Sequence, residues 1–495
     1  MKSFRIPAIL LIILVSFSCE DFLDLRPEGT TPTTGTDYTK AENIFLPISA
    51  SYAKLRSYGA HVFPYIGAFE IASDNADKGS APEDNPTMKE LDDLKYGPTN
   101  GLLNDLWSGY FDIVSGANFA IHEMPKFEEA LLNTTDKDYA MQCQGEAKTI
   151  RAYAYFNLTR LFGRVPIIDT TLSAEQLAAT HQSSTKELYK FIEKDLEEAI
   201  AVLPDFYSKE WAGRINKYTA MAIKAKVHLY QAEWDSVASL TDKIIASGRY
   251  GLLPKFREIF SVDKENSEES LFEIQSSTLG SSTGPSTYLE YAYVQGPRGN
   301  TPSNMQGWGF CTPSQNLIDF FNSRNEVIRP ATTLLYRGTL TPEGDSIKKA
   351  CTNPVYNGKV YTPSYQNKWN FNGYGFDLNI RILRYSDVLL MHAEALVNGA
   401  AVPLTSGTTA NGAVNMVRER AGLTGISGVT LQNIWDERRA ELAMEQDRFF
   451  DLIRTNQAAT ALANKGFITG KHEVYPIPAA QIQLNTNLTQ NNGYN

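Results

Sequence analysis

Residues 217–247 read KYTAMAIKAKVHLYQAEWDSVASLTDKIIAS, and this stretch decides the fold class. Its pattern predicts two helices, 217–233 and 234–247, with almost no chain between them. Ala220, Ala222, Ala225 and Ala232 put small side chains on the first helix, where a neighbour can approach closely. Tyr230, Trp234 and Leu240 supply bulk for the groove. A hairpin of the same kind recurs at 388–396 and 413–421, across a connection rich in Gly, Thr and Ala. Upstream, Leu102, Leu106, Ile113, Val114, Ala117 and Ile121 mark one apolar stripe, and Ala147, Ile150, Ala154, Leu158 and Leu161 another. A further helix is expected over 185–203, with Ser184 and Glu187 placed as a capping box.

Paired amphipathic helices with small residues at their crossings predict a mostly α chain, a tetratricopeptide-like superhelix of helical hairpins. The spacing does not hold to that repeat's period of about 34 residues, so the units are degenerate and carry insertions. A generic helical bundle is the plainer alternative. Residues 261–380 break the pattern with many Gly, Pro, Ser and Asn, β-like runs such as 271–274, and dense aromatics. A structureless loop of that length would be unusual, which points to an irregular, loop-rich insertion subdomain. The expected division is therefore 1–18 leader, 19–40 anchor and spacer, 41–260 helical, 261–380 insertion, and 381–495 helical.

The leader shows Lys2 and Arg5, then an apolar run over 6–15, then Ser16, Phe17, Ser18 and Cys19. That run is too short to span a bilayer and fits a secretory signal. Small residues directly before Cys19 resemble a bacterial lipobox, with Phe17 as a departure, so Cys19 is the expected lipidation site. An ordinary signal peptide is the other reading. Across 495 residues, 42% are hydrophobic, and 46 Lys and Arg stand against 56 Asp and Glu, a net charge of -10. The composition excludes a mostly disordered chain, and the acidic balance argues against nucleic acid as a partner. With 4 Cys, no disulfide framework holds the fold, although Cys311 and Cys351 could pair.

Motifs for catalysis are missing. The six histidines are scattered with no His-Glu-x-x-His helix, and no Walker A loop or Gly-x-Gly-x-x-Gly after a strand occurs. Gly280-Ser-Ser-Thr-Gly284 fits Gly-x-Ser-x-Gly, but Pro285 follows and 288–293 gives no convincing helix, so a flexible Ser/Gly loop is expected. Ser73-Asp-Asn-Ala-Asp-Lys-Gly79 concentrates oxygen ligands and could coordinate calcium near Asp74–Asp77, yet it lacks the alternation of an EF-hand. Polar ligand contacts or loop hydrogen bonding are the favoured readings there, and no cofactor or resident metal is expected.

Several segments in order resemble the SusD/RagB family of nutrient-binding outer-membrane lipoproteins. They are Ile382-Leu-Arg-Tyr-Ser-Asp-Val-Leu-Leu-Met-His-Ala-Glu-Ala-Leu396, Val417-Arg-Glu-Arg-Ala-Gly-Leu423, Ile434-Trp-Asp-Glu-Arg-Arg-Ala-Glu-Leu442 and Arg448-Phe-Phe-Asp-Leu-Ile-Arg454. Tyr475-Pro-Ile-Pro478, 485–494, Cys19-Glu-Asp-Phe-Leu-Asp, 73–79 and Trp107 through Asn118 complete the set. Gln446-Asp447 stands where the family usually has Gly-His. The resemblance implies a non-enzymatic surface lipoprotein on a helical scaffold, anchored through Cys19 in the outer membrane and facing the cell exterior. It also implies a SusC-like TonB-dependent transporter as partner, capped by the lipoprotein as a lid, and an oligosaccharide as the usual ligand. Some members take peptides; a surface protein adaptor and a glycoside hydrolase are the other classes.

Glu437, Arg438, Arg439, Glu441 and Arg448 sit at helical spacings suited to ion pairs, so the signature residues are expected to be architecture. Ligand contacts are expected from the loops instead, because sugar rings stack on Trp and Tyr while their hydroxyls need polar edges. The expected set is Tyr288, Tyr291, Arg298 and Trp308 from one stretch, Lys368, Trp369 and Tyr374 from another, and Asp74, Asn75 and Asp77 as a polar rim.

Overall fold

A computed structural model describes residues 35–277, 289–300, 306–365 and 377–494. Its main helices are α1 (Phe45–Lys54), α2 (Gly101–Ala130), α3 (Thr134–Phe162), α4 (Thr185–Val202), α5 (Lys217–Tyr230) and α6 (Trp234–Ala246). After the loop-rich region come α7 (Tyr385–Val397), α8 (Ala410–Arg420), α9 (Leu431–Leu442) and α10 (Arg448–Arg454). Asn100, Asn133, Ser184 and Asn216 accept backbone N–H groups at the starts of α2 to α5, and the Ser184–Glu187 capping box forms. Each such cap stabilises its helix by about 1 kcal/mol. From α2 to α8 every helix packs on the next in chain order. That order gives the tetratricopeptide-like superhelix expected from the hairpins.

The α5–α6 pair differs from its expected form in one detail. α5 ends at Tyr230, and Ala232 lies in the turn with φ +56 rather than on the helix. A left-handed residue reverses the chain within three positions, which is how so short a link becomes feasible.

Three antiparallel two-stranded ladders tie the loop-rich region to this scaffold. β1 (Ala76–Gly79) pairs with β3 (Phe310–Pro313), β2 (Ser270–Ile274) with β6 (Ile380–Arg384), and β4 (Leu334–Tyr336) with β5 (Val355–Asn357). The first ladder joins the region to the N-terminal part; the second closes its base onto α7. A short helix, Tyr291–Gln295, forms where the sequence suggested none, with all five residues buried. Burial of an apolar Tyr-Ala-Tyr-Val run outweighs its weak local propensity. The Gly280–Gly284 loop lies outside the described residues. Cys143, Cys311 and Cys351 are buried free thiols, so Cys311 and Cys351 do not pair. Among the described residues, no helix is long and apolar enough to cross a membrane.

The signature residues are architecture. Arg438 donates to Asp387 (2.6 Å) and Asp451 (3.3 Å), and Glu437 accepts from Arg329 (2.6 Å) and Arg324 (2.7 Å). Glu441 accepts from Arg420 (2.5 Å) and Arg384 (3.0 Å). Burial alone would raise the Glu441 carboxyl, but Arg420, Arg384 and Arg329 together hold it far below the usual carboxylate range. Gln446 takes φ +68, the left-handed backbone that suits the glycine usual at this point. Its N–H donates to Glu70 (2.8 Å), which anchors the turn.

Candidate ligand-binding corner

The β1–β3 ladder brings the Ser73–Asp84 loop against residues 298 and 307–312. Gly79 ends β1 at φ +69, and a Cβ there would run into the Gly309 carbonyl oxygen. The missing side chain lets the two segments close, with Ser80 N–H donating to that same oxygen at 2.6 Å. Lys78 then folds the loop around its ammonium, donating to the carbonyls of Ala81 (2.8 Å), Asp84 (2.6 Å) and Pro82 (3.3 Å). Burial lowers the pKa of this lysine.

Arg298 reaches across and donates to Ser80 Oγ (2.6 Å) while pairing with Asp84. Ser80 Oγ also lies 2.6 Å from Asp84 Oδ2 and 2.8 Å from the Trp308 carbonyl. The Arg298 side chain remains 39% exposed, so its guanidinium is ordered yet open to solvent. Beside it, a Cβ on Gly307 would overlap the Tyr293 carbonyl, and this close approach lets Trp308 N–H donate there at 2.9 Å. The half-buried Trp308 ring packs edge-on against Tyr293 (5.7 Å) and Phe63 (6.3 Å), with Phe310 behind Phe63 at 4.9 Å. An aromatic face beside a paired guanidinium and carboxylate offers stacking and hydrogen bonds to hydroxyls.

The residues expected at a site do not all meet here. Arg298 and Trp308 do, and Asp77 is exposed on β1 opposite Thr312. Asp74 and Asn75 are withdrawn from the rim. The Asp74 carboxylate accepts from Arg448 (2.8 and 3.1 Å) and lies 3.2 Å from Arg439, while Asn75 Oδ1 accepts from Arg439 (2.9 Å). Burial would raise the Asp74 carboxyl, but Arg448 and Arg439 reverse the sign and lower it. Calcium would have to displace those arginines. Tyr291 is likewise turned into the core, its hydroxyl accepting from Gln446 (3.1 Å). Tyr288, Lys368, Trp369, Tyr374 and Cys19 lie outside the described residues. Sequence reasoning missed Ser80, Asp84 and Phe63; only Asp84 carried a signal, as one of the adjacent carboxylates Glu83 and Asp84 that follow the oxygen-rich loop.

Residues 340–494 match the SusD family, and residues 21–229 match the family described as starch-binding associating with outer membrane. The chain belongs to the SusD/RagB family. As a SusD/RagB protein it belongs to a family of outer-membrane lipoproteins. It is similar to SusD-like protein P2 of Formosa agariphila, 28% identical over the full length of both chains. It is 26% identical to the starch-binding protein SusD of Bacteroides thetaiotaomicron, over 83% of this chain and 82% of that one. Among solved structures, a laminarin-binding SusD-like protein superposes with a TM-score of 0.78 at 26% identity, covering 92% of this chain and 99% of the other.

Proposed function

We propose that this SusD/RagB protein binds a glucan oligosaccharide on the corner built from Trp308, Arg298 and Asp84, at the exterior face of the outer membrane, and caps its transporter as a lid. The observation that carries this reading is the half-buried Trp308, whose carbonyl is tied through the Ser80 hydroxyl to a solvent-open Arg298–Asp84 pair. A glucose ring stacks its C–H face on the indole while its hydroxyls accept from the guanidinium and donate to the carboxylate. Asp77 extends the polar rim, and Tyr288, Lys368, Trp369 and Tyr374 are proposed as further ligand contacts. The 261–380 region thus contacts cargo together with the Ser73–Asp84 loop, and the helices of the 41–260 and 381–495 regions support it. Glucans are favoured because laminarin and starch, named for the two relatives above, are both glucose polymers.

Calorimetry on the full chain in detergent micelles tests the proposal. Laminarin or malto-oligosaccharides are expected to bind, and an unrelated peptide pool is not. Peptide binding together with silence toward every glycan would overturn it.

A further inference from the structure

A second aromatic surface lies on the 204–216 loop between α4 and α5, away from Trp308. Three cavities of about 430, 360 and 510 Å³ all take Trp211 and Arg214 as walls, so they form a trough around one indole. Trp211 is 43% exposed and Phe206 59% exposed. Exposed large rings on a secreted surface call for a reason when they cluster.

The rings are held rigidly from behind. Arg214 lies 4.4 Å from the Tyr207 ring centroid, 4.8 Å from that of Phe45, and 5.3 Å from those of Tyr139 and Trp211. Its charge is met by the fully buried Glu146, which also accepts from the Tyr207 hydroxyl at 2.8 Å. Phe45 supports the Trp211 ring at 5.1 Å, and Arg249 covers the Phe206 ring at 4.5 Å. The trough is edged by Asp205, Arg249, Asn266 and Glu268 on one side and by Arg56 and Gln275 on the other. A preorganised ring with an open face, rimmed by carboxylate, amide and guanidinium groups, recognises a polyhydroxylated ring more readily than an apolar partner.

We infer that the Trp211 trough is a second oligosaccharide-binding site, so that one long glucan chain engages the protein at two places. The inference rests on the glucan reading above and extends it. Two linked contacts raise affinity for a polymer without altering affinity for a fragment too short to reach both.

The test uses the full chain in detergent, with laminarin as polymer and a β-1,3-linked glucotriose as the short probe, followed by calorimetry. Trp211→Ala is expected to weaken laminarin binding about a hundredfold, the lower end of a linked-site effect. Glu268→Gln, an exposed rim change that leaves the rings in place, is expected to weaken it less. Both should leave the Trp308-dependent share of trisaccharide binding unchanged, and that share is read from Trp308→Ala. Unaltered laminarin affinity in Trp211→Ala and Glu268→Gln, with loss in Trp308→Ala, would overturn the second site and leave the glucan reading standing. Silence of the unmodified chain toward both probes and toward malto-oligosaccharides would overturn both. Loss of transporter co-purification in Trp211→Ala, with glucan binding intact, would make the trough a protein contact and overturn the inference.

Discussion

The C-terminal ion-pair network and the Trp308 corner use the same chemical groups to opposite ends. In the network, Arg438, Glu437 and Glu441 are almost wholly buried and every charge faces another. At the corner, Arg298 and Asp84 are also paired, but 39% and 31% of their side chains stay exposed. Burial makes the difference. A charge fully withdrawn from water must be answered inside the protein, and once answered it has nothing left for a ligand. A pair at the surface is weaker, and its remaining donors and acceptors can be shared.

Breaking the network should therefore have the largest effect. Arg438→Ala leaves Asp387 with only Lys226 and Asp451 with only Arg454 as cationic partners, and is expected to lower unfolding free energy by about 3 kcal/mol, the lower end for a broken buried pair. Denaturant titration measures this; a loss below about 1 kcal/mol would mean that the pairs contribute little.

The next effect tests a buried polar group in the helical core. His61 is fully buried, with Nδ1 2.7 Å from the Leu55 carbonyl and Nε2 2.9 Å from the Tyr153 hydroxyl. Both contacts suit a neutral ring, and burial pushes its pKa down to about 4. The unfolded chain thus binds a proton at higher pH than the folded one. Stability from His61 is complete above about pH 6.5 and is lost as pH falls toward 4, by about 3 kcal/mol at the limit. His61→Gln should remove that part of the slope in melting temperature between pH 6.5 and 4. Identical slopes in the two proteins would contradict the assignment.

Trp308→Ala should separate binding from folding. Glucan affinity is expected to fall about tenfold, or 1.4 kcal/mol, while the melting transition stays cooperative. Unchanged affinity would move the site elsewhere. The smallest effect is expected from Arg298→Ala, which removes a half-exposed pair worth about 0.2–1 kcal/mol in stability. Binding should weaken a few-fold beside it, and a rise in affinity would show that the guanidinium obstructs the ring.

The positions of Asp74 and Asn75 show how far sequence reading reached. Their oxygen-rich loop suggested ligand contacts, and Arg439 and Arg448 read as scaffold. Each half of that reading was made alone. The Asp74–Arg448 bond spans 374 positions, and no local pattern announces a partner at that distance. Trp308 and Arg298 drew notice because an aromatic and a cation in a Gly-rich stretch stand out by composition, and both reach Ser80 in the folded chain. Tyr291 belonged to the same stretch but lies on a short buried helix, and its ring faces inward.

Periodicity, caps and small residues at crossings are local, set within a few turns of chain, so the sequence alone determined the helices, their order and the superhelix they build. Whether a given Asp, Tyr or Arg supports the fold or faces a ligand depends on burial and on partners hundreds of residues away. Those exist only once the chain has closed, because water competes for every polar group until packing removes it. Tertiary structure therefore decided the corner.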